Sequence, residues 1–390
     1  MPLTLTALDQ DRLEQAHGLA EAAIGLSDPN PRVGCVIGFD DGRIIGSGHT
    51  QLVGGPHAEV MALRDAAQAG NDIRGATAWV TLEPCCHHGR TPPCCDALIQ
   101  AGVARVVAAA ADPFAAVAGK GLQRLHEAGI QVDLGDDHHA QQTRELNIGY
   151  FSRIERGRPW VRVKAAITLD GRTALLDGRS QWITGAAARH DGHAWRRRAS
   201  AILSGIGTVL ADNPRLDVRG IATTVQPLRV VLDSRLRLPL DAKLLAPPGR
   251  VLVATSSVDR HRQRELQSAG AEIWLSTGPP PDAEAGPAAP GEPPGCAVPL
   301  AELLRELASR QVNELHVEAG ATLNGALANA QLVDEWLLYQ APLLLGSGRG
   351  LLDSVESANL ADAMHLRLMD SVMLGDDRRL RLRPAERRDS

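Results

Sequence analysis

The sequence predicts an α/β protein of two domains, residues 1–150 and 151–390. At 390 residues the chain exceeds what one hydrophobic core usually serves. In the first part a β-hairpin pattern is followed by alternating helix and strand patterns, which gives a three-layer α/β/α sandwich. In the second part short apolar strand runs recur with helical stretches between them, the pattern of a second α/β domain.

Hydrophobic content of 44% and charged content of 22% are ordinary for a globular protein. The net charge of -5 comes without a block of one sign, which argues against a nucleic-acid footprint. The Arg-rich stretch Arg378 to Arg388 is interleaved with Glu386 and preceded by Asp376 and Asp377, so it is expected to be a solvated end. Of six cysteines, Cys85, Cys86, Cys94 and Cys95 crowd into eleven residues, poor spacing for a disulfide framework and good spacing for metal. Reduced thiols are expected. Met1 to Leu8 lacks a basic segment and a long apolar run, and no window reaches the length of a membrane span. A soluble, cytoplasmic protein is expected.

In the first part, Leu13, Ala16, Ala20, Ala23 and Ile24 recur at helical spacing, predicting a helix over 9–26 that Asp28-Pro29-Asn30-Pro31 stops. Val33 to Phe39 and Arg43 to His49 read as strands joined by the turn Asp40-Asp41-Gly42. Gly54-Gly55-Pro56 delivers His57, and Ala58 to Ala69 is helical, so His57 and Glu59 lie in its first turn. Strands at 76–82, 103–110 and 130–134 and helices at 95–101 and 121–128 complete the domain near Tyr150. His17, His126, His138 and His139 are expected on the surface or at caps.

Catalytic zinc takes three protein ligands and leaves a fourth position for water, whose pKa falls to about 7. His57 with one cysteine from each pair supplies three ligands. Glu59, two residues from His57 at a helix start, suits a proton carrier between that water and a leaving amine. This is the deaminase pattern H-x-E followed by P-C and a second cysteine. The common spacing is P-C-x-x-C, whereas eight residues separate Cys85 from Cys94 here, and spacing alone leaves Cys86 and Cys95 open as ligands. The competing readings are a structural zinc knot and buried cysteines that bind nothing.

His57-Ala58-Glu59 and the run Thr81 to Cys94 closely resemble the deaminase half of the bifunctional riboflavin-biosynthesis deaminase/reductase family. Asn30 to Ile37 and Gly46 to His49 are also similar to it. The family's usual serine after the first motif cysteine is Cys86 here, which leaves Cys85 and Cys94 as the matched zinc ligands. The resemblance implies a cytidine-deaminase-like fold, Asn30 and His49 on the pyrimidine, and His88 and Arg90 facing the ribose phosphate. A guanidinium at Arg90 independently suits a phosphate-bearing substrate.

Arg156 to Pro159 is a plausible junction. Trp160 to Thr168 alternates as a strand, Leu169 to Arg172 turns it, and a helix follows over 186–199. Strands are predicted at 201–205, 228–233, 251–255, 272–275, 314–318 and 336–340. Residues 278–295, full of Pro, Gly and Ala, read as a flexible surface insertion, and Cys296 beside it as incidental. Two glycine-bearing turns, Ser204 to Thr208 and Glu318 to Gly325, could hold a nucleotide, the second by leading a strand into a helix N-terminus. Neither is the dinucleotide motif.

Lys164 to Thr173, Ser180 to Thr184, Gly207 to Pro214, Val231 to Ser234 and Val317 to Gly320 resemble the reductase half of the same family, in the family's order. That resemblance implies a dihydrofolate-reductase-like α/β fold that uses NADPH. It places Ala166, Trp182, Thr208, Asp212, Ser234 and the turn Gly320, Ala321, Thr322, Leu323, Asn324, Gly325, Ala326 on the cofactor. Ser180, Arg196, Leu216, Arg219 and Glu318 would bind the substrate. Lys164 and Asp212 are the titratable candidates for catalysis. The implied enzyme deaminates a phosphoribosylated diaminopyrimidine with Zn2+ and Glu59, then reduces its ribosyl to a ribityl chain, and works as a dimer or tetramer. No nucleic-acid or membrane partner is expected.

Overall fold

The computed structural model describes residues 5–89, 91–246, 248–276, 298–353, 359 and 362–385. Arg90, the expected insertion 278–295 and Cys296 lie outside the described residues. The chain divides into two compact units, Met1–Gly157 and Arg158–Ser390.

The first unit runs α1 (Ala7–Glu21), β1 (Gly34–Gly38), β2 (Ile44–His49), α2 (Ala58–Gln68), β3 (Thr77–Val80), α3 (Cys94–Ala101), β4 (Arg105–Ala108), α4 (Lys120–Glu127), β5 (Gln131–Leu134), α5 (Asp137–Leu146) and α6 (Ile148–Arg156). Its sheet has the order β2-β1-β3-β4-β5, antiparallel at β2-β1-β3 and parallel beyond. Period-two alternation sorts the strand residues onto two faces. Cys35, Ile37, Ala78, Val80, Val106 and Ala108 pack with Ala58, Ala62, Leu98 and Leu125, while Val36, Trp79, Val107 and Ala109 pack with Leu13 and Ala16. Helices thus cover both faces, as the alternation of elements predicts.

Three expectations change. The first helix ends at Glu21, and a turn follows in which Gly25 takes a φ of 70°. The unit continues past Tyr150 because α6 buries Ile148, Tyr150 and Phe151, and Gly157 closes that helix at φ 66°. His17 and His139 are buried, not superficial, because α5 packs beside α1. His17 Nδ1 sits 2.8 Å from Leu13 O and Nε2 2.9 Å from Thr143 Oγ1.

The second unit runs β6 (Trp160–Thr168), α7 (Ala186–Arg198), β7 (Ala201–Gly205), α8 (Ile206–Asp212), β8 (Leu228–Leu232), β9 (Val251–Thr255), α9 (Arg260–Ser268), β10 (Ala271–Leu275), α10 (Leu300–Ser309), β11 (Glu314–Val317), α11 (Ala321–Asn329), β12 (Glu335–Ala341), β13 (Leu366–Leu374) and β14 (Asp377–Pro384). The nine strands follow the order β10-β9-β8-β7-β11-β6-β12-β14-β13. Those from β10 to β12 are parallel, and β14 and β13 complete the sheet antiparallel. One core gathers Val161, Val163, Leu203, Leu315, Val317 and Trp336 under Leu303, Leu307 and Leu327 of α10 and α11. On the opposite face a second gathers Ile202, Val231 and Val253 with Val209 of α8 and Leu266 of α9.

Within the described residues the Arg-rich stretch is not a solvated end. It is β14, inserted between β12 and β13. The run Leu380-Arg381-Leu382-Arg383 has period two: the leucines pack on the apolar core, and the arginines reach Glu335 at 3.4 and 2.9 Å. Under α7, β6, β11 and β12 carry a layer of buried ion pairs. Arg162, 2% exposed, binds Glu335 at 2.6 Å and Glu314 at 2.8 Å, and Arg198 of α7 binds Glu314 at 2.9 Å. Among the described residues no helix is long and apolar enough to cross a membrane.

Candidate active sites

In the first unit, a close helix–strand approach positions the site. A Cβ on Gly46 would lie 2.2 Å from Ala62 O, and one on Gly48 2.7 Å from Ala58 O. Their missing side chains let α2 lie directly on β2. His57 is the extended N-cap of α2 and Glu59, 3% exposed, occupies its first turn. The loop after β3 brings in Cys85, and Pro93 caps α3 so that Cys94 starts it.

His57 Nδ1 lies 3.6 Å from Cys85 Sγ and 3.4 Å from Cys94 Sγ, and the three ligand atoms all fall within 4.8 Å of one another. Tetrahedral zinc with ordinary bond lengths separates a sulfur from a nitrogen ligand by about 3.5 Å. The residues therefore fit zinc. Cys86 and Cys95, left open by spacing, turn elsewhere: Cys86 donates to Ala116 O at 3.7 Å, and Cys95 to Pro84 O at 3.3 Å and Gly121 O at 3.5 Å. Burial pushes both of their thiols up.

The Cys94 thiol, the His57 ring and the Cys94 N–H, 3.4 Å away, favour a Cys85 thiolate and pull its pKa down. That thiolate in turn pushes Cys94 up and raises His57. Burial, with the Cys85 charge adding to it, pushes Glu59 up to about 7. Glu83 is a support that the sequence reading missed. Its buried carboxylate accepts the N–H groups of Gly121 at 2.9 Å, Gly119 at 3.0 Å, and Leu122 and Asp112 at 3.2 Å. Its place between β3 and the cysteines was the available signal.

Of the residues expected on the substrate, His49 ends β2, half-buried, and burial lowers its pKa. Asn30 is half-buried in the turn where its N–H donates to Ser27 O at 2.9 Å. His88 is exposed in the cysteine loop.

In the second unit Lys164 of β6 meets Glu318 just past the carboxyl end of β11, the end at which parallel α/β sheets hold their ligands, whereas Ser234 follows β8 and Ser180 and Trp182 lie between β6 and α7. Val317 stands opposite Val163 on one side and Leu203 on the other, so Glu318 follows between Lys164 and Ser204. Arg196 clamps Glu318 with two hydrogen bonds, Nε to Oε1 at 2.5 Å and Nη2 to Oε2 at 2.8 Å. Lys164 Nζ is 4.0 Å from Oε2, and His316 Nε2 3.4 Å from Oε1. Burial works against the Glu318 charge, but Arg196 and Lys164 prevail and hold its carboxyl well below the usual range. Burial lowers the Lys164 pKa.

Arg196 Nη1 also donates to Asp217 O at 2.9 Å, and Asp217 pairs with Arg215 at 2.9 Å and with Arg219. Leu216, buried, takes a φ of 50°, a left-handed conformation that L side chains rarely adopt. Arg196, Leu216, Arg219 and Glu318 thus share one place. Asp217, which links them, was not anticipated; its position between Leu216 and Arg219 was the only hint.

The two glycine-bearing turns lie side by side. Gly320 is the N-cap of α11 with no side-chain cap, which leaves first-turn N–H groups free, and its Cβ position lies 3.9 Å from Thr208 Oγ1. Ala321 and Thr322 remain accessible, whereas Leu323, Asn324, Gly325 and Ala326 are buried, and the Asn324 N–H already donates to Gly320 O at 3.2 Å. Ala166 and Ser234 are half-buried. Ser180 is half-buried, and Trp182 is 70% exposed beneath the Arg189 guanidinium at 4.6 Å. Asp212 ends α8 exposed, and no hydrogen bond or ion pair among the described residues joins it to Lys164.

Residues 6–110 match the family model of the cytidine and deoxycytidylate deaminase zinc-binding region, and residues 159–379 that of the RibD C-terminal domain. The riboflavin biosynthesis protein RibD of Escherichia coli (strain K12) is 42% identical over 382 residues, spanning 95% of this chain and 97% of the relative. That of Aquifex aeolicus (strain VF5) is 35% identical over 370 residues, spanning 95% and 97%. Among solved structures, Acinetobacter baumannii RibD, form 1, superposes with a TM-score of 0.85 at 40% identity and covers 97% of this chain and 99% of its own. A deaminase/reductase from Thermotoga maritima gives 0.82 at 30% identity, covering 97% and 99%.

Proposed function

Because the chain belongs to the RibD family of bifunctional riboflavin biosynthesis proteins, we propose a two-step reaction for it and assign residues to each step. It carries both halves of that family: a zinc-binding, cytidine-deaminase-like N-terminal domain and a dihydrofolate-reductase-like domain that uses NADPH. The first reaction hydrolyses the ring amine of 2,5-diamino-6-(5-phosphoribosylamino)pyrimidin-4(3H)-one and releases ammonia. The second reduces the ribosyl side chain of the resulting 5-amino-6-(5-phosphoribosylamino)uracil to ribityl.

The observation that carries this reading is the meeting of His57, Cys85 and Cys94 at zinc-ligand separations with Glu59 buried beside them. Those three residues would hold zinc, which supplies a Lewis acid that acidifies water. Glu59 takes the proton of the attacking water and hands it to the departing amine. Neutral His49 and Asn30 orient the pyrimidine, and His88 with Arg90 receives the phosphate.

In the reductase, NADPH supplies the hydride when bound. The 320–326 turn, Thr208, Ala166, Trp182, Ser234 and Asp212 hold it, with the free N–H groups of α11 on phosphate. The Arg196–Glu318 clamp, Ser180, Leu216 and Arg219 hold the ribosylamino group and its phosphate. Lys164 and Asp212 are the candidates to deliver the one proton that accompanies the hydride, to the sugar oxygen released from the reduced carbon; the position of Lys164 beside Glu318 favours it.

The reading includes a cytoplasmic enzyme acting as an assembly of two or more copies, with no nucleic-acid or membrane partner. The free thiols of Cys35, Cys85, Cys86, Cys94 and Cys95 suit a reducing compartment, and light scattering would report the assembly. The deciding experiment follows ammonia and NADPH separately in Glu59→Gln. Ammonia release is lost, and NADPH oxidation on pre-deaminated substrate continues. Loss of both together would overturn the two-site assignment.

A further inference from the structure

Lys164 is one of only three lysines in the chain, with Lys120 and Lys243. Arginines make the ion pairs around it, from Arg162 on its own strand to Arg196 on α7. A lysine amid them is a chemical choice, since an ammonium is compact and titratable where a guanidinium is neither. Yet Lys164 Nζ makes no hydrogen bond to a described residue. Its nearest carboxylate oxygen, Glu318 Oε2, is 4.0 Å away and already accepts from Arg196 Nη2 at 2.8 Å. The other polar groups that face it, His316 of β11 and the Arg196 guanidinium, offer no anion.

What Nζ does have is an aromatic face. It lies 5.7 Å from the ring centroid of Tyr339, within the range at which a cation is drawn to a ring. Tyr339 is 1% exposed and stands on β12 opposite Ala166 of β6. Its hydroxyl donates to Asp191 Oδ2 at 2.7 Å. Arg379, opposite Tyr339 on β14, donates to both oxygens of the same carboxylate, at 3.1 and 3.2 Å. The ring is therefore pinned at its far end by a charged pair.

We propose that Tyr339 is a positioning residue of the reductase: its ring face, fixed by Asp191 and Arg379, holds the Lys164 ammonium beside Glu318. The inference rests on the reading that Lys164 acts in the reduction. It gives the C-terminal strand a task in that site, through Arg379.

The test uses the full-length, zinc-loaded protein. Lysine-selective 13C labelling yields three sets of side-chain signals, and Lys164→Arg identifies that of Lys164. In the unmodified protein its ε-methylene protons lie upfield of those of Lys120 and Lys243, shifted by the ring. Tyr339→Phe keeps the ring face but loses its hydroxyl tie to Asp191, so it retains part of the displacement and lowers kcat for NADPH oxidation by less than the leucine variant does. Tyr339→Leu abolishes the displacement and lowers kcat by roughly three- to thirtyfold, with the KM for NADPH unchanged. Asp191→Asn, which also loosens the ring without removing it, behaves like the phenylalanine variant and serves if the leucine variant does not fold. A Lys164 signal unmoved by Tyr339→Leu overturns the proposal. So does a phenylalanine variant that loses as much turnover as the leucine variant. Full NADPH oxidation by Lys164→Ala overturns the underlying reading of Lys164, and an intact ring-current displacement sets that failure apart.

Discussion

Glu83 Oε1 accepts the backbone N–H of Gly121 at 2.9 Å, which ties the end of β3 to the start of α4 across the cysteine loop. With the three other N–H groups it holds, this buried carboxylate is the peg around which the 112–122 segment folds, and the cysteine loop rests on that segment through Cys86. Glu83→Gln turns one acceptor oxygen into an amide that faces N–H donors. The expected cost is about 1–3 kcal/mol of stability, with weaker zinc retention and slower ammonia release. Urea denaturation and zinc content after dialysis check it, and unchanged zinc retention would show that the loop does not depend on the peg.

The two cysteine pairs make a sharper test of the metal site. Cys85→Ser and Cys94→Ser each remove a ligand, so both are expected to lose zinc and ammonia release while keeping NADPH oxidation on pre-deaminated substrate. Cys86→Ser and Cys95→Ser are expected to retain zinc, since those thiols donate to carbonyl oxygens instead. A chromogenic zinc assay on the four purified variants separates the pairs. Zinc loss in Cys86→Ser with retention in Cys85→Ser would reverse the assignment.

Glu335, 0% exposed, is the hub of the second unit, meeting Arg162 at 2.6 Å, Arg383 at 2.9 Å and Arg381 at 3.4 Å. Burial pushes its carboxyl up, but the three guanidinium groups overcome this and hold it below its ordinary value. A carboxyl depressed in the folded state contributes its full stability above the unfolded pKa of about 4.3. That contribution is lost as pH falls through the lower folded value. Glu335→Gln is expected to cost about 3–5 kcal/mol at neutral pH, since it leaves buried guanidinium charge uncompensated. The gap to the unmodified protein should narrow in acid. Denaturation of both proteins at neutral pH and near pH 3 measures it; a gap that widened in acid would contradict the sign.

The same hub explains what sequence could and could not reveal. Trp160–Thr168 was legible from its period-two alternation and Val251–Thr255 from an apolar run, each a direct signal of a buried strand. The metal site was legible because its chemistry depends on a few residues at fixed spacing. β14 was not, since Arg381 and Arg383 look solvated until Glu335, far away in sequence, supplies their counter-charge. His17 and His139 misled in the same way: their burial depends on α5 settling beside α1, a tertiary event with no local mark. Spacing alone did not choose among the four cysteines; the family resemblance named Cys85 and Cys94, and the loop geometry that aims them at His57 supplies the physical reason.

The last prediction concerns the spacing of α2 from β2. Gly48→Ala would place a Cβ 2.5 Å from Met61 Cβ and 2.7 Å from Ala58 O, and the latter is backbone that cannot step aside. The helix must lift, and it carries His57 and Glu59 in its first turn. Overpacking of this kind costs about 1–3 kcal/mol, but the functional loss should be larger than the stability loss. A ligand displaced by a few tenths of an ångström no longer meets Cys85 and Cys94 at zinc-ligand separations. Ammonia release and zinc retention are therefore expected to fall while NADPH oxidation stays. Gly18→Ala is the control: a helical position on α1 with nothing within 4 Å of the added Cβ, where alanine should stabilise by about 1 kcal/mol and leave ammonia release intact. Equal losses in the two variants would show that the helix–strand approach has no special bearing on the site.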